Sequence, residues 1–363
     1  MHRVLHFMAD IQVCSGVATV VMNYYRHIDR NRIQFDFLYF EDSPLSYERE
    51  IRSLGGRVFR IPRPSLLSLG EICTFFSLHQ GEFWILHCHP VWSAAVLEPL
   101  ARRCGVHTVI LHSHSEKPGE SRTSILRNQL LLRLSAGRVD MFFACSCAAE
   151  ASFMGIPHVV YILPNAIDAR KFFFDDVARQ SCRRKLGINP DAPVIGHVGR
   201  MVDVKNHRFI LEMFSVLIQN MPAAQLLLIG DGPLKQELYI RAAELGIQDS
   251  VHFLGTCRDI SPLYAAMDMF VMPSLYEGLS MALLEAQASG LPCLISDRVS
   301  LESNVTNRMT SLALEEPEEW ANVLEKQLKT TWNRSIGIKE AFERSNLDIH
   351  TAARELTVLY ERS

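Results

Sequence analysis

PSLYEGLSMALLEAQASGLP, residues 273–292, places two carboxylates eight positions apart around the start of a helix. Glu277 falls in a turn, and Glu285 falls inside the helix that follows it. Ser280 suits the N-cap, Gly290 suits the position just past the last turn, and Pro292 stops any continuation. A helix start presents free N–H groups and partial positive charge, which suits a phosphate. Carboxylates beside it accept hydrogen bonds, from donors such as hydroxyls, or pair with cations. A site that takes phosphate and sugar hydroxyls together fits a nucleotide-sugar.

Working outward from this segment, the second half of the chain alternates short apolar runs with amphipathic stretches. Strands are expected at residues 194–198, 225–229, 251–254, 269–272 and 292–295, with helices near 207–219, 233–245, 260–266 and 281–289. The first half has apolar runs at 4–8, 35–40, 57–61, 84–89, 108–114, 141–145 and 159–162. Short all-apolar strands separated by helices predict parallel sheets covered on both faces. The expected class is therefore α/β, with two doubly wound, Rossmann-like domains. The boundary is placed where 164–168 gives way to a charged segment, at residue 170.

The bulk numbers agree with two domains. A chain of 363 residues with 48% hydrophobic content has material for two cores. A net charge of −3 gives no reason to expect nucleic acid as a partner. Nine cysteines without regular spacing point to buried thiols in a reducing compartment, and Cys145-Ser146-Cys147 lacks the second pair a zinc site would need. The N-terminus enters a strand directly, and no run reaches the about 20 apolar residues of a membrane span, so a cytoplasmic location is expected.

In open α/β sheets, ligands sit beyond the carboxyl ends of the strands. Gly199-Arg200, Gly230-Asp231-Gly232-Pro233 and the Glu277 turn each follow a strand, and Lys205-Asn206 begins a helix a few residues after Gly199. Each alone is an ordinary turn. Their order on successive strands resembles the glycosyltransferases of family 4, which share the GT-B fold. The resemblance covers almost all of the second half. In the first half, Arg3-Val4-Leu5-His6 followed by Gly16-Val17-Ala18 is similar to members that build bacterial capsular and exopolysaccharides.

The resemblance implies roles. Arg200 and Lys205 would grip the donor diphosphate, with Gly199 and Gly230 lining the wall and the backbone of Gly278-Leu279-Ser280 adding N–H donors. Gly16, in the other domain, would let backbone approach the diphosphate. Glu285 would accept from the ribose hydroxyls and Glu277 from the transferred sugar. Leu254 would lie against the base, as in relatives that use UDP. Residues 1–170 would form the acceptor-side domain, residues 171–345 the nucleotide-sugar domain, and 346–363 a helix packing back on the first. The segment 296–302 departs from the family's glycine-containing turn.

His112 and His114 point to one face of a strand, and His87 and His89 end its neighbour. A four-histidine metal site is conceivable there, but carboxylate or cysteine ligands are not evident, and hydrogen-bonded histidines at a sheet edge are the commoner outcome. No metal site is expected, and His114 is the candidate reaction-centre residue of the first domain. No Asp-x-Asp, which would hold a divalent ion on the diphosphate in the other main glycosyltransferase fold, occurs anywhere. Between Arg102 and Arg138, seven basic residues face two acidic ones. From Lys117 onward the arginines interleave with leucines, which fits either a core-facing helix with a solvated basic face or an interfacial helix on anionic lipid.

The expected activity is a retaining, metal-independent glycosyl transfer from a UDP-linked sugar, a co-substrate with no cofactor. The acceptor would be a growing, lipid-linked oligosaccharide of a surface polysaccharide. A nucleotide-sugar 2-epimerase of related fold and a non-catalytic sugar-nucleotide-binding protein are the alternatives.

Overall fold

The computed structural model describes residues 1–13, 15–42, 45–115, 121–156 and 158–363, apart from the side chain of residue 66. The chain divides into two units. The first is Met1–Ala166 with Ile349–Ser363, and the second is Ile167–Asp348.

The first unit holds seven strands: β1 His2–Phe7, β2 Ile33–Tyr39, β3 Val58–Arg60, β4 Ile85–Cys88, β5 Thr108–Ser113, β6 Met141–Ala144 and β7 Val160–Ile162. Their order is β3-β2-β1-β4-β5-β6-β7, with every pairing parallel. The second unit holds β8 Val194–Val198, β9 Gln225–Ile229, β10 Val251–Gly255, β11 Met269–Met272, β12 Cys293–Ser296 and β13 Met309–Leu312. Their order is β10-β9-β8-β11-β12-β13, again all parallel. Both are doubly wound sheets whose strand order reverses once, between β1 and β4 and between β8 and β11. The expected α/β class holds.

Side-chain alternation explains the two-sided burial. In the second sheet, Leu226, Leu228, Met269 and Val271 join one core with Phe214 and Trp320. Their neighbours Leu227, Ile229, Phe270 and Met272 join another with Tyr264 and Leu283. Strands sandwiched this way read as continuous apolar runs, which is why they were visible in the sequence. Strand β13, with the half-polar sequence MTSL and no fully buried residue, was not.

The C-terminal helix Ile349–Arg362 belongs to the first unit. Ile349, Ala352, Ala353, Leu356 and Tyr360 form its buried stripe, and its far end is tied by Trp84 donating to the Ser363 carbonyl at 3.1 Å. The Tyr360 hydroxyl lies 2.6 Å from His87 Nδ1, and its ring packs against His6 and Phe35 of β1 and β2.

In the second unit a partly buried polar knot fixes the strand that leads to the site. Asp268 pairs with Arg179 and Arg183 at 2.6 and 2.7 Å and accepts the Val194 N–H at 2.8 Å, anchoring the start of β8. Gly290 has φ +70°, and a Cβ there would stand 1.9 Å from the Arg334 carbonyl oxygen. Only glycine fits that chain crossing.

Candidate active site

Three loops of the second unit converge beyond the ends of β8, β9 and β10. The Gly199 N–H bonds the Ile229 carbonyl, Met201 N–H the Asp231 carbonyl and Gly230 N–H the Gly255 carbonyl, at 2.9 Å each. Gly230 has φ +133°, and a Cβ there would lie 2.1 Å from the Gly199 oxygen. The Gly-Asp-Gly turn is thus a backbone-to-backbone contact that holds the Gly199-Arg200 loop. Arg200 is exposed, and its guanidinium pairs with no carboxylate among the described residues. Leu254 lies in β10, partly buried against the core beneath.

A second junction ties the Lys205 turn to the segment 273–292. Lys205 ends the short helix Asp203–Lys205, and Leu275 N–H bonds the Val204 carbonyl at 2.8 Å. That crossing brings Lys205 Nζ onto Glu277 Oε2, an ion pair with both side chains less than one-fifth exposed. The Glu277 backbone is also stitched to the loop after β12, with the Ser300 N–H donating to its carbonyl at 3.0 Å. The departing segment 296–302 therefore supports Glu277 through backbone groups, without needing a glycine.

The helix after the turn spans Met281–Ala288, with Ser280 at its N-cap and Gly290 two residues past its end. Ser280 differs from its expected use: its hydroxyl makes no capping bond. The first-turn N–H groups beside Gly278 and Leu279 keep their capacity for an anion. Inside this helix, Glu285 is 7% exposed and accepts from the Tyr264 hydroxyl at 2.9 Å. Burial pushes its carboxyl up to about 7, with the Tyr264 bond pulling the other way. Glu277 and Glu285 have separate partners, Lys205 and Tyr264, so in this arrangement they do not form a shared acid/base couple.

Sequence reasoning missed several groups here. His197 and His207 are buried beneath the Gly199–Lys205 loop, with ring centres 4.7 Å apart. His197 Nδ1 lies 2.8 Å from the Val271 carbonyl, while neither ring nitrogen of His207 makes a hydrogen bond among the described residues. Burial lowers His207 to about 4 and holds His197 well below its ordinary value. Tyr264 and Gln287 were also unread. Gln287 Nε2 donates to the Ser303 carbonyl at 2.6 Å, and its Oε1 accepts from Val305 N–H at 2.9 Å, holding the loop behind the helix. Nothing in a single glutamine or tyrosine codon signals such a contact.

The remaining candidates lie in the first unit. Gly16 opens the helix Gly16–His27, and a Cβ there would meet no atom of the described residues within 4 Å. His114 follows β5, half-buried, and its Nε2 lies 2.8 Å from His89 Nδ1. Burial lowers His114 to about 4, the Asn165 side chain acting in the opposite direction. The four expected histidines cluster, and His6 joins them. Of the basic segment, Lys117 lies outside the described residues. Arg102 and Arg138 are neutralised by Asp140 and Glu98, so the local positive excess is smaller than the sequence count.

Residues 15–166 match the family described as glycosyl transferase 4-like domain, and residues 192–330 match glycosyl transferases group 1. The chain is 35% identical to the glycosyltransferase candidate EpsF of Bacillus subtilis (strain 168), across 99% of this chain and 97% of that protein. The chain belongs to the family-4 glycosyltransferases. It is also 26% identical to the UDP-Gal:alpha-D-GlcNAc-diphosphoundecaprenol alpha-1,3-galactosyltransferase of Escherichia coli, over 78% of this chain and 76% of that enzyme. Among solved structures, Anabaena Alr3699/HepE in complex with UDP-glucose covers the whole of both chains with a TM-score of 0.83 at 18% identity. This glycosyltransferase has the GT-B fold. No described helix is long and apolar enough to cross a membrane.

Proposed function

We propose that this glycosyltransferase moves a sugar, with retention of configuration, from a UDP-sugar to a growing lipid-linked oligosaccharide in surface polysaccharide assembly. The observation that carries the reading is the grouping of an unpaired Arg200, the Lys205–Glu277 pair and an uncapped helix start in one unit. On donor binding, Lys205 exchanges its carboxylate partner for the diphosphate. Arg200 and the N–H groups of 278–282 meet the remaining charge, and no metal is needed on the phosphates. Glu277, released, accepts from a hydroxyl of the transferred sugar, and Glu285 from the ribose. The leaving phosphate, stabilised by these cations, takes the acceptor's proton on the face it departs from.

The donor is proposed from likeness. The HepE structure holds UDP-glucose, and the Escherichia coli relative is named for UDP-galactose and a diphosphoundecaprenol-linked acceptor. A thermal-shift screen of nucleotide-sugars tests it, because a donor that binds only the folded chain raises its melting temperature. Stabilisation by UDP-sugars above other nucleotides is expected. No response to any UDP-sugar, or an equal response to all nucleotides, counts against UDP.

The acceptor's lipid is supported by the helix Arg122–Ala136. Leu126, Leu130 and Leu134, at four-residue spacing, are 60–69% exposed. Arg122 and Arg133 flank this stripe on one side and Arg127 on the other, all exposed. An apolar stripe edged by arginines suits the interface of an anionic bilayer. Sedimentation with liposomes tests this: preferential binding to anionic vesicles is expected, and equal binding to neutral ones contradicts it.

A further inference from the structure

Five imidazoles crowd one face of the first sheet at its β1/β4 switch point. His6 lies opposite His87 in the β1–β4 register, and His89, His112 and His114 continue the patch across β5. His6, His87, His89 and His112 are at most 7% exposed, and His114 is half-buried. Cross-strand histidines of this density carry an unusual number of buried nitrogens. Among the described residues, His6 Nε2, His87 Nε2, both ring nitrogens of His112 and His114 Nδ1 complete no hydrogen bond. Buried polar groups are normally satisfied, and a set that is not points to a missing water or ion.

The two halves of the patch differ. The rings of His6, His87 and His89 lie stacked, with interplanar angles of 13–29°. His6 Nδ1 and His87 Nδ1 are already occupied, by His89 and Tyr360. His89, His112 and His114 are tilted against one another by 33–41°, with ring centres 5.1, 5.5 and 4.1 Å apart. One nitrogen from each lies within 4.8 Å of the other two. Three imidazoles on a tetrahedral ion with Zn–N of about 2.0–2.1 Å have ring centres roughly 5 Å apart.

We propose that His89, His112 and His114 form a tri-imidazole site for a borderline transition-metal ion, of which zinc is the best fit. The donor set is all nitrogen, which disfavours magnesium and calcium, whose sites are built from oxygen. Three protein ligands leave a fourth position for water. Metal-bound histidines usually send their other N–H to an outer partner, and each of these has one in reach. His89 Nε2 lies 3.0 Å from His6 Nδ1, and Asn165 and the Leu163 backbone stand near His114 and His112. Zinc would replace the His89–His114 hydrogen bond with two N–Zn bonds and use the one unprotonated ring nitrogen of His112.

The site is separate from the donor-phosphate reading and is tested without nucleotide. Chelator-stripped full-length protein is titrated with zinc alone, with magnesium in parallel, followed by calorimetry and metal analysis. One zinc per chain, a raised melting temperature, no magnesium response and a tetrahedral absorption spectrum with cobalt are expected. In His112→Ala and His114→Gln, checked for fold by circular dichroism, affinity should fall at least 100-fold. Asn165→Ala should weaken zinc about 10- to 100-fold without abolishing it. Absence of zinc uptake by the folded wild type, an octahedral cobalt spectrum, or unchanged uptake in both histidine variants overturns the proposal. The wild-type titration decides first, so a variant that fails to fold leaves the test standing.

Discussion

Lys205 and Glu277, seventy-two residues apart, form an ion pair across the two turns that flank the helix start at Met281. In the proposed mechanism these residues act on different parts of the donor, so the pair describes the ligand-free arrangement and must open. Lys205→Met should then lower kcat/KM by about 10²- to 10³-fold, as loss of a phosphate-stabilising group does. Glu277→Gln should lower kcat more than it raises KM. Because the two touch, the double variant should fall short of the sum of the singles, by about 0.5–3 kcal/mol. Strict additivity in the cycle would show that the contact has no energetic weight.

Glu285 gives a pH dependence whose sign follows from burial. Its carboxyl is raised from the ordinary value of 4.5 to about 7 in the folded chain. Between those values the folded state holds a proton that the unfolded state has released, so stability falls as pH rises through that window. The whole contribution is on the order of 3 kcal/mol at most. Glu285→Gln should flatten this fall in denaturant titrations at pH 5 and pH 7.5. An unchanged difference between the two pH values would mean that Glu285 does not carry it. If Glu285 binds ribose, the same variant should weaken UDP.

Gly230→Ala tests the backbone contact under Arg200. The substitution meets both a left-handed φ and the Gly199 carbonyl. A loss of about 1–3 kcal/mol from strained backbone is expected, together with weaker UDP binding as the Gly199-Arg200 loop shifts. A variant with wild-type stability and affinity would show the loop is not held this way.

His207 sits buried with neither nitrogen hydrogen-bonded, so removing its polarity should not harm the fold. His207→Leu is expected to match or exceed wild-type stability at pH 7. It should also resist acid better. His207 and His197 are held neutral by burial, so protons bind the unfolded chain first and stability falls as pH drops below about 6.5. Destabilisation of His207→Leu by more than about 1 kcal/mol would assign this imidazole a hydrogen-bonding role.

Much of this arrangement was legible in the chain. Strands such as Leu226–Ile229 and Met269–Met272 are buried on both faces and read as unbroken apolar runs, and the helix after Ser280 has its stop signal at Gly290. What the sequence concealed depends on tertiary approach. Ser280 has the right identity for a cap, yet its hydroxyl does not turn back to the helix. Lys205 meets Glu277 only because Leu275 bonds the Val204 carbonyl. Tyr264 reaches Glu285 from a helix twenty-one residues earlier. His6 joins the histidine patch through strand pairing, which no local spacing encodes, and β13 lacks the apolar run that marked its neighbours.

The most direct test is calorimetric titration of UDP into the full chain in the presence of a chelator. UDP is expected to bind with chelator present, and Arg200→Ala to weaken it about 10- to 100-fold, the loss of one charge-assisted contact of roughly 1.5–3 kcal/mol. Failure of the folded wild type to bind UDP, or equal affinity in Arg200→Ala, would contradict it.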